Sequence, residues 1–148
     1  MLKATQFIAV VLTAVTLVPL GAHLAELPNK IDLAQSEYFI AQNVYRGWDL
    51  FGVVMIGAVL ANLVLAVLLR GNRTAFGLVL VNLLCLVGAL TIFFAFTYPA
   101  NQATNNWTVI PAGWQSLRLE WEFSHAVNAL IVFGGFCALT WSLLVARE

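Results

Sequence analysis

Charged residues are scarce in this sequence. Only 9% of its 148 residues are Asp, Glu, Lys or Arg, and seven acidic against seven basic side chains leave a formal net charge of zero. The sequence has no cluster of basic residues and no glycine-rich phosphate loop, which argues against nucleic-acid, nucleotide and phosphate binding. Cys85 and Cys137 lie inside apolar stretches, where we expect them to act as small apolar fillers.

Hydrophobic residues, in contrast, make up 61% of the chain, and its mean hydropathy is +0.89. This composition excludes an ordinary soluble domain and indicates an integral membrane protein. A bilayer core of roughly 30 Å requires about 20 apolar helical residues per span. Four such spans are predicted, at residues 4–25, 50–69, 74–98 and 123–146.

The links between these spans predict how they are arranged. Only RGNR, at residues 70–73, separates the second span from the third, which forces an antiparallel hairpin. The sequence therefore predicts an all-α protein, a single domain over residues 1–148 that forms an up-down-up-down four-helix membrane bundle. The connection between the first two spans is expected to be partly helical. It should break near Gly47, because one straight helix through it would exceed the membrane thickness.

The distribution of lysine and arginine predicts the orientation in the membrane. Four basic residues lie on one side with almost no acid nearby: Lys3, Arg70, Arg73 and Arg147. The other side has three, diluted by six acidic residues: Lys30, Arg46 and Arg118. We therefore expect a multi-pass protein of the bacterial inner (plasma) membrane with both termini in the cytoplasm. A cleaved signal peptide is the alternative for the first span, but Leu20 stands where cleavage after Ala22 requires a small residue.

Two histidines occupy matching positions in the first and fourth spans. His23 lies near the outer end of the first span and His125 near the outer end of the fourth, so antiparallel helices bring them to one depth. Each has a glutamate three residues nearer the surface, Glu26 and Glu122, on the same helix face. The sequence therefore predicts that histidine lies level with histidine and glutamate level with glutamate.

Imidazole and carboxylate groups on facing helices are typical ligands of a transition metal such as iron, copper or zinc. The predicted ligands are His23, Glu26, Glu122 and His125. A haem held by both histidines is an alternative that leaves the glutamates unused. A site without a cofactor is a further alternative, in which a histidine or a glutamate acts as a base.

The neighbouring polar and aromatic residues on the last span point to a pocket. Arg118, Trp121 and Asn128 share an arc of the helical wheel with Glu122 and His125, so we expect these three to bind the cofactor or substrate. A structural interpretation competes with this one. Arg118 and Glu122 are spaced to form an ion pair, and the tryptophans outside the last span could form an interfacial aromatic belt.

Two segments, NQATNNW (residues 101–107) and SLRLEWEFSHAVNAL (residues 116–130), resemble the family of small four-span membrane proteins that includes the fungal anthrone oxygenases. AHLAELPNK and YRGW resemble a bacterial subgroup of it. The resemblance implies insertion of oxygen from O2 into the activated methylene of an anthrone. It matches Trp121 to the tryptophan of the family's last helix. His125 stands where the family usually has asparagine and sometimes histidine, and Asn128 stands where it has an arginine that would hold an enolate.

The functional prediction is a small membrane oxidoreductase, of the monooxygenase type, that acts on a hydrophobic molecule or lipid near the outer membrane face. Its predicted catalytic residues are His125, Glu122 and His23. The alternative is a non-enzymatic scaffold, subunit or lipid-binding module. The enzyme requires the two histidines to face inward within about 10 Å of each other, whereas the scaffold allows them to point toward lipid headgroups.

Overall fold

The computed structural model describes residues 1–146, and 86% of these residues are helical. The α-helices are α1 (Leu2–Lys30), α2 (Gln35–Gln42), α3 (Phe51–Leu69), α4 (Arg73–Ile92), α5 (Tyr98–Ala103) and α6 (Trp114–Val145). Short 3-10 helices cover Asn43–Tyr45 and Trp48–Leu50, and a π-helical segment, Phe93–Thr97, joins α4 to α5. Arg147, one of the basic residues from which the membrane orientation is predicted, lies outside the described residues.

The long helices pack as a bundle in which each contacts two neighbours. α1 packs on α3, α3 on α4, α4 on α6, and α6 on α1, so the contacts close into a ring. Within residues 1–146, four helical stretches are long and apolar enough to cross a membrane. The predicted all-α bundle is therefore confirmed, and the chain is a small multi-pass membrane protein. Its placement with cytoplasmic termini stays a prediction.

Buried amide groups tie three of these helices together at mid-depth. Asn82 Nδ2 on α4 donates to Asn62 Oδ1 on α3 at 2.9 Å. Asn62 Nδ2 in turn donates to the carbonyl of Ala58 at 2.9 Å and to Thr13 Oγ1 on α1 at 3.3 Å. The sequence places Asn62 and Asn82 at the same depth on neighbouring antiparallel helices, which predicts a hydrogen bond between their amide groups. The structure confirms this hydrogen bond.

Gly135 of α6 should be sensitive to substitution because it lies against this amide group. A Cβ added there would stand 2.7 Å from Asn82 Oδ1 and 2.8 Å from Cys85 Cβ. We expect Gly135→Ala to lower the free energy of unfolding by about 1–3 kcal/mol, measured by titration of the detergent-solubilised protein with sodium dodecyl sulfate. Gly134→Ala is the matched control, since a Cβ there meets nothing within 4 Å. Equal stabilities of the two variants would contradict the close packing of α6 on α4.

The connections 31–50 and 104–113 lie at one end of the bundle, which we call the long-loop end. α2 lies in the first of them, and the Glu37 carboxylate accepts a hydrogen bond from the backbone of Ala34 at 3.2 Å to cap it. Gly47 has φ +86°, a left-handed conformation that favours glycine, and it separates the two 3-10 helices. The predicted partly helical connection and its break near Gly47 are both confirmed.

Candidate functional site

The two histidines meet where α1 and α6 pack together near the long-loop end. The ring centroids of His23 and His125 are 4.1 Å apart, and their planes are inclined by 31°. His23 is buried and His125 half-buried. Because α1 and α6 run in opposite directions, residues near the end of one and the start of the other reach the same depth. The two histidines therefore lie close together, as the sequence predicts.

Aromatic rings surround this histidine pair. Around His23, ring centroids lie at 4.4 Å for Tyr45, 4.8 Å for Trp121 and 5.5 Å for Trp48. Trp121 also lies 4.3 Å from the ring of His125. Within the described residues, the Nδ1 atoms of both histidines are buried and have no hydrogen-bond partner. Such nitrogen atoms are available to a bound molecule or a proton.

A buried lysine lies beside the pair. Lys30, at the end of α1, is 5% exposed, and its Nζ atom is 3.1 Å from Glu122 Oε1 and 3.9 Å from Glu26 Oε2. Nζ donates a hydrogen bond of 2.6 Å to the Tyr45 hydroxyl. It also lies 4.3 Å from the Tyr45 ring centroid and 4.7 Å from that of Trp121. The lysine therefore brings a cation between the two carboxylates that were predicted as metal ligands.

Helix α2 is held to α6 through the same glutamate. The Tyr38 hydroxyl donates to Glu122 Oε1 at 2.8 Å, and Gln42 Nε2 donates to the Tyr38 hydroxyl at 2.5 Å. Burial, reinforced by the negative charge of Glu122, raises the pKa of Tyr38 above its ordinary value, so this hydroxyl stays a donor. Within residues 1–146, the second oxygen of Glu122 is buried without a hydrogen-bond partner.

Two of the residues predicted to bind a cofactor or substrate are engaged elsewhere. Arg118 donates to the backbone carbonyl of Leu33 at 2.9 Å and lies over the ring of Trp114. Its predicted ion pair with Glu122 is replaced by the pair between Glu122 and Lys30. Asn128 donates to the carbonyl of Ala89 on α4 at 3.1 Å. The structure therefore brings Trp121 to the histidines but directs Arg118 and Asn128 to the backbone of other segments.

Three of the four tryptophans near the long-loop end, all except the half-buried Trp48, lie in a buried cluster and not in an aromatic belt. The cluster consists of Tyr38, Ala100, Trp107, Trp114 and Trp121. Asn101 Oδ1 accepts hydrogen bonds from Trp107 Nε1 at 3.1 Å and Trp121 Nε1 at 2.9 Å. The loop turns Trp107 inward through three successive left-handed residues, with φ of +47° at Asn105, +54° at Asn106 and +63° at Trp107. The NQATNNW segment thereby positions Trp121 beside the histidines.

The four predicted metal ligands do not fit one metal centre in this arrangement. Glu122 pairs with Lys30, and Glu26 accepts a hydrogen bond from Tyr45, so both carboxylates already have protein partners. No three His, Cys, Asp or Glu side chains among residues 1–146 are grouped so that they could hold a metal ion. A haem would need the two imidazoles on opposite faces of its ring, whereas here the imidazoles contact each other. The binding of a metal or of a haem stays a prediction. The observed contacts of these four residues do not favour either one.

The sequence prediction did not include three residues of the network beside the histidines, which are Lys30, Tyr38 and Tyr45. A signal for Lys30 is present, because it follows His23 by seven residues and Glu26 by four, which places all three on one face of α1. The tyrosines carry no comparable signal. They lie in a connection without clear periodicity, and the hydrogen bond between Tyr38 and Glu122 joins residues 84 positions apart.

The chain matches no protein family model, no curated protein and no solved structure.

Proposed function

We propose that this membrane protein is an oxidoreductase that uses dioxygen to oxidise a hydrophobic substrate at the pair formed by His23 and His125. The observation that carries the proposal is the contact of two imidazoles whose Nδ1 atoms have no partner within the described residues. Buried polar atoms are normally hydrogen-bonded, so an exception of this kind is typical of a functional site. The resemblance of residues 101–107 and 116–130 to the anthrone oxygenases adds support from the sequence.

The surroundings of the pair favour a flat, apolar substrate. Tyr45, Trp48 and Trp121 all place their rings within 5.5 Å of the His23 ring. Aromatic walls with a few convergent polar groups are the usual lining of a small-molecule site. The pair lies between α1 and α6, two helices long and apolar enough to cross a membrane, so we propose that the substrate arrives from the lipid.

In the proposed reaction, a histidine first removes a proton from a substrate carbon that an adjacent carbonyl makes acidic. The proton goes to the free nitrogen of His125 or His23, and the electron pair of the C–H bond stays on the substrate as an enolate. Lys30 supplies a buried positive charge in the same region. In this proposal, the ammonium group of Lys30 on α1 takes the role of the arginine that the anthrone oxygenases carry at the position of Asn128.

The enolate then passes its electrons to dioxygen. A C–O bond forms, the O–O bond of the resulting substrate hydroperoxide breaks, and the methylene becomes a carbonyl with release of one water. One CH2 group and one O2 give one C=O group and one H2O, so the electrons balance without an external reductant. The residues of the site bind and orient the substrate, accept its proton and stabilise its charge.

A structural role is the second candidate, and one observation favours it. Lys30, Glu26, Glu122 and Tyr45 largely satisfy one another's hydrogen bonds and charges. A network of this kind could serve only to hold the long-loop end of a membrane scaffold or subunit together.

Oxygen uptake distinguishes these two candidates. We expect liposomes that contain the purified protein to consume oxygen when a hydroxylated anthrone is added, with about one O2 used per carbonyl formed, because the reaction above has that balance. The measurement combines an oxygen electrode with product analysis. Protein-free liposomes and the corresponding anthraquinone, which lacks the acidic methylene, are the controls. Uptake no faster than in protein-free liposomes would favour the structural candidate.

A further inference from the structure

We propose that Glu26, Tyr45, Lys30 and Glu122 form a path along which protons exchange between the surface at the long-loop end and Glu122, the buried carboxylate three residues before His125 on α6. The role of this path rests on the proposed function, because a histidine that takes a proton from each substrate molecule must release that proton before the next turnover. The contacts that form the path are independent of any substrate. They can therefore be tested without turnover.

The path is a continuous chain of hydrogen bonds across three segments. The Tyr45 hydroxyl, from the first 3-10 helix, donates to Glu26 Oε2 on α1. Lys30 Nζ donates to the same hydroxyl at 2.6 Å. Nζ also lies 3.1 Å from Glu122 Oε1 on α6. Each neighbouring pair is thus within hydrogen-bond distance, which is what proton transfer between positioned groups requires.

The two ends of the path differ in their exposure. The Glu26 side chain is 42% exposed, whereas that of Glu122 is 0% exposed. A cavity of about 190 Å³ borders the exposed end, and its lining is Glu26, Asn29, Lys30, Ala41, Val44 and Tyr45. This cavity is large enough for several water molecules of about 30 Å³ each. Water therefore has a place to reach the outer half of the path.

The inner end of the path, Glu122, lies on the same helix as His125. Glu122 Oε2 and His125 Nδ1 are both buried, and neither has a hydrogen-bond partner within the described residues. The two residues are three positions apart on α6, which places them on one face of the helix. Because these two atoms do not hydrogen-bond to each other, a proton passes between His125 and Glu122 only through a bridging water.

The transfer conserves protons and charge at every step. A protonated Glu122 gives its proton to Lys30 as Lys30 gives one to the Tyr45 oxygen, and Tyr45 passes its own hydroxyl proton to Glu26. The O–H bond of Glu122 breaks and an O–H bond of Glu26 forms, while Lys30 ends as an ammonium and Tyr45 as a neutral phenol. The net result is one proton moved from Glu122 to Glu26.

Tyr45 is suited to relay a proton without ionising. Burial, together with its hydrogen bond to Glu26, raises the pKa of Tyr45 above its ordinary value. Other charged or titratable groups also face the path and will influence its titration. They are His23 on α1, Tyr38 on α2, and Arg118 and His125 on α6.

Time-resolved infrared spectroscopy after a flash-induced pH jump tests the path. The protein in liposomes would be mixed with a photolabile proton donor, and the carboxylic acid band of Glu122 would be assigned by its loss in Glu122→Gln. In Tyr45→Phe the hydroxyl that links Lys30 to Glu26 is missing, so we expect this band to respond roughly 10²-fold more slowly than in the parent protein. Glu26→Gln, which removes the acceptor at the surface, is expected to slow the response as well.

Tyr38→Phe is the matched control. It removes a hydroxyl that also donates to Glu122, but Tyr38 lies off the route to Glu26. The response of the Glu122 band should therefore keep its rate in this variant, provided circular dichroism shows an unchanged helix content. An unchanged rate in Tyr45→Phe, or equal slowing in Tyr38→Phe, would overturn the proposal, and so would a Glu122 band that never titrates. None of these results depends on oxygen uptake, so the path and the proposed function can fail separately.

Discussion

Replacing Lys30 with methionine is expected to lower the free energy of unfolding by about 3–5 kcal/mol, the usual cost of removing one partner of a buried ion pair. Glu122 would keep its burial and its hydrogen bond from Tyr38 but lose its cation. The Tyr45 hydroxyl would lose its donor as well. The measurement is a titration of the detergent-solubilised protein with sodium dodecyl sulfate, followed by circular dichroism.

Two further variants separate the ion pair from a general effect of the substitution. Lys3→Met changes an exposed lysine at the other end of α1, and we expect little loss of stability from it. Glu122→Gln combined with Lys30→Met removes the uncompensated charge, so the double variant should be more stable than Lys30→Met alone. If Lys30→Met and Lys3→Met lowered the free energy of unfolding equally, the result would contradict the buried position of Lys30.

The second large effect concerns catalysis. Replacing His125 with alanine is expected to slow substrate-dependent oxygen uptake by about 10²–10⁴-fold, the usual contribution of a general base. His125 lies in contact with both His23 and Trp121, so the loss of its ring also removes one wall of the site. Oxygen uptake in liposomes is the measurement.

Chemical rescue shows whether that loss is catalytic or structural. Added imidazole should restore part of the activity of His125→Ala, because a small base can occupy the space that the side chain leaves. Phe123→Ala, which shortens an exposed side chain two residues earlier on α6, should keep the parent rate. A rate for His125→Ala equal to that of Phe123→Ala would rule out His125 as the base.

The sequence was sufficient to predict the bundle because membrane spans leave a strong signal. Long apolar stretches and the four-residue link RGNR determine how many helices cross and which are antiparallel. The helices nevertheless extend beyond the predicted spans, since α1 continues to Lys30 and α6 begins at Trp114. Hydropathy predicts which residues lie in the lipid, whereas both helices continue beyond those residues.

The site was predictable only in part, and the reason is physical. The approach of His23 to His125 follows from helix direction and depth, which the sequence contains. The position of Lys30 does not, because a charged residue at the end of a span is usually solvated, and the aromatic rings that allow its burial come from distant segments. Tyr45 reaches Lys30 from the 3-10 helix that follows α2, and hydropathy does not describe the position of that helix.

We propose that the histidine pair acts as the base of this oxidation without a resident metal. Inductively coupled plasma mass spectrometry of the purified protein, together with oxygen uptake on the same sample, tests it most directly beside His23→Ala and His125→Ala. We expect the parent protein to hold far less than one metal ion per chain and to be fully active, and both variants to be inactive. Stoichiometric metal in the parent protein that disappears in both variants would contradict it.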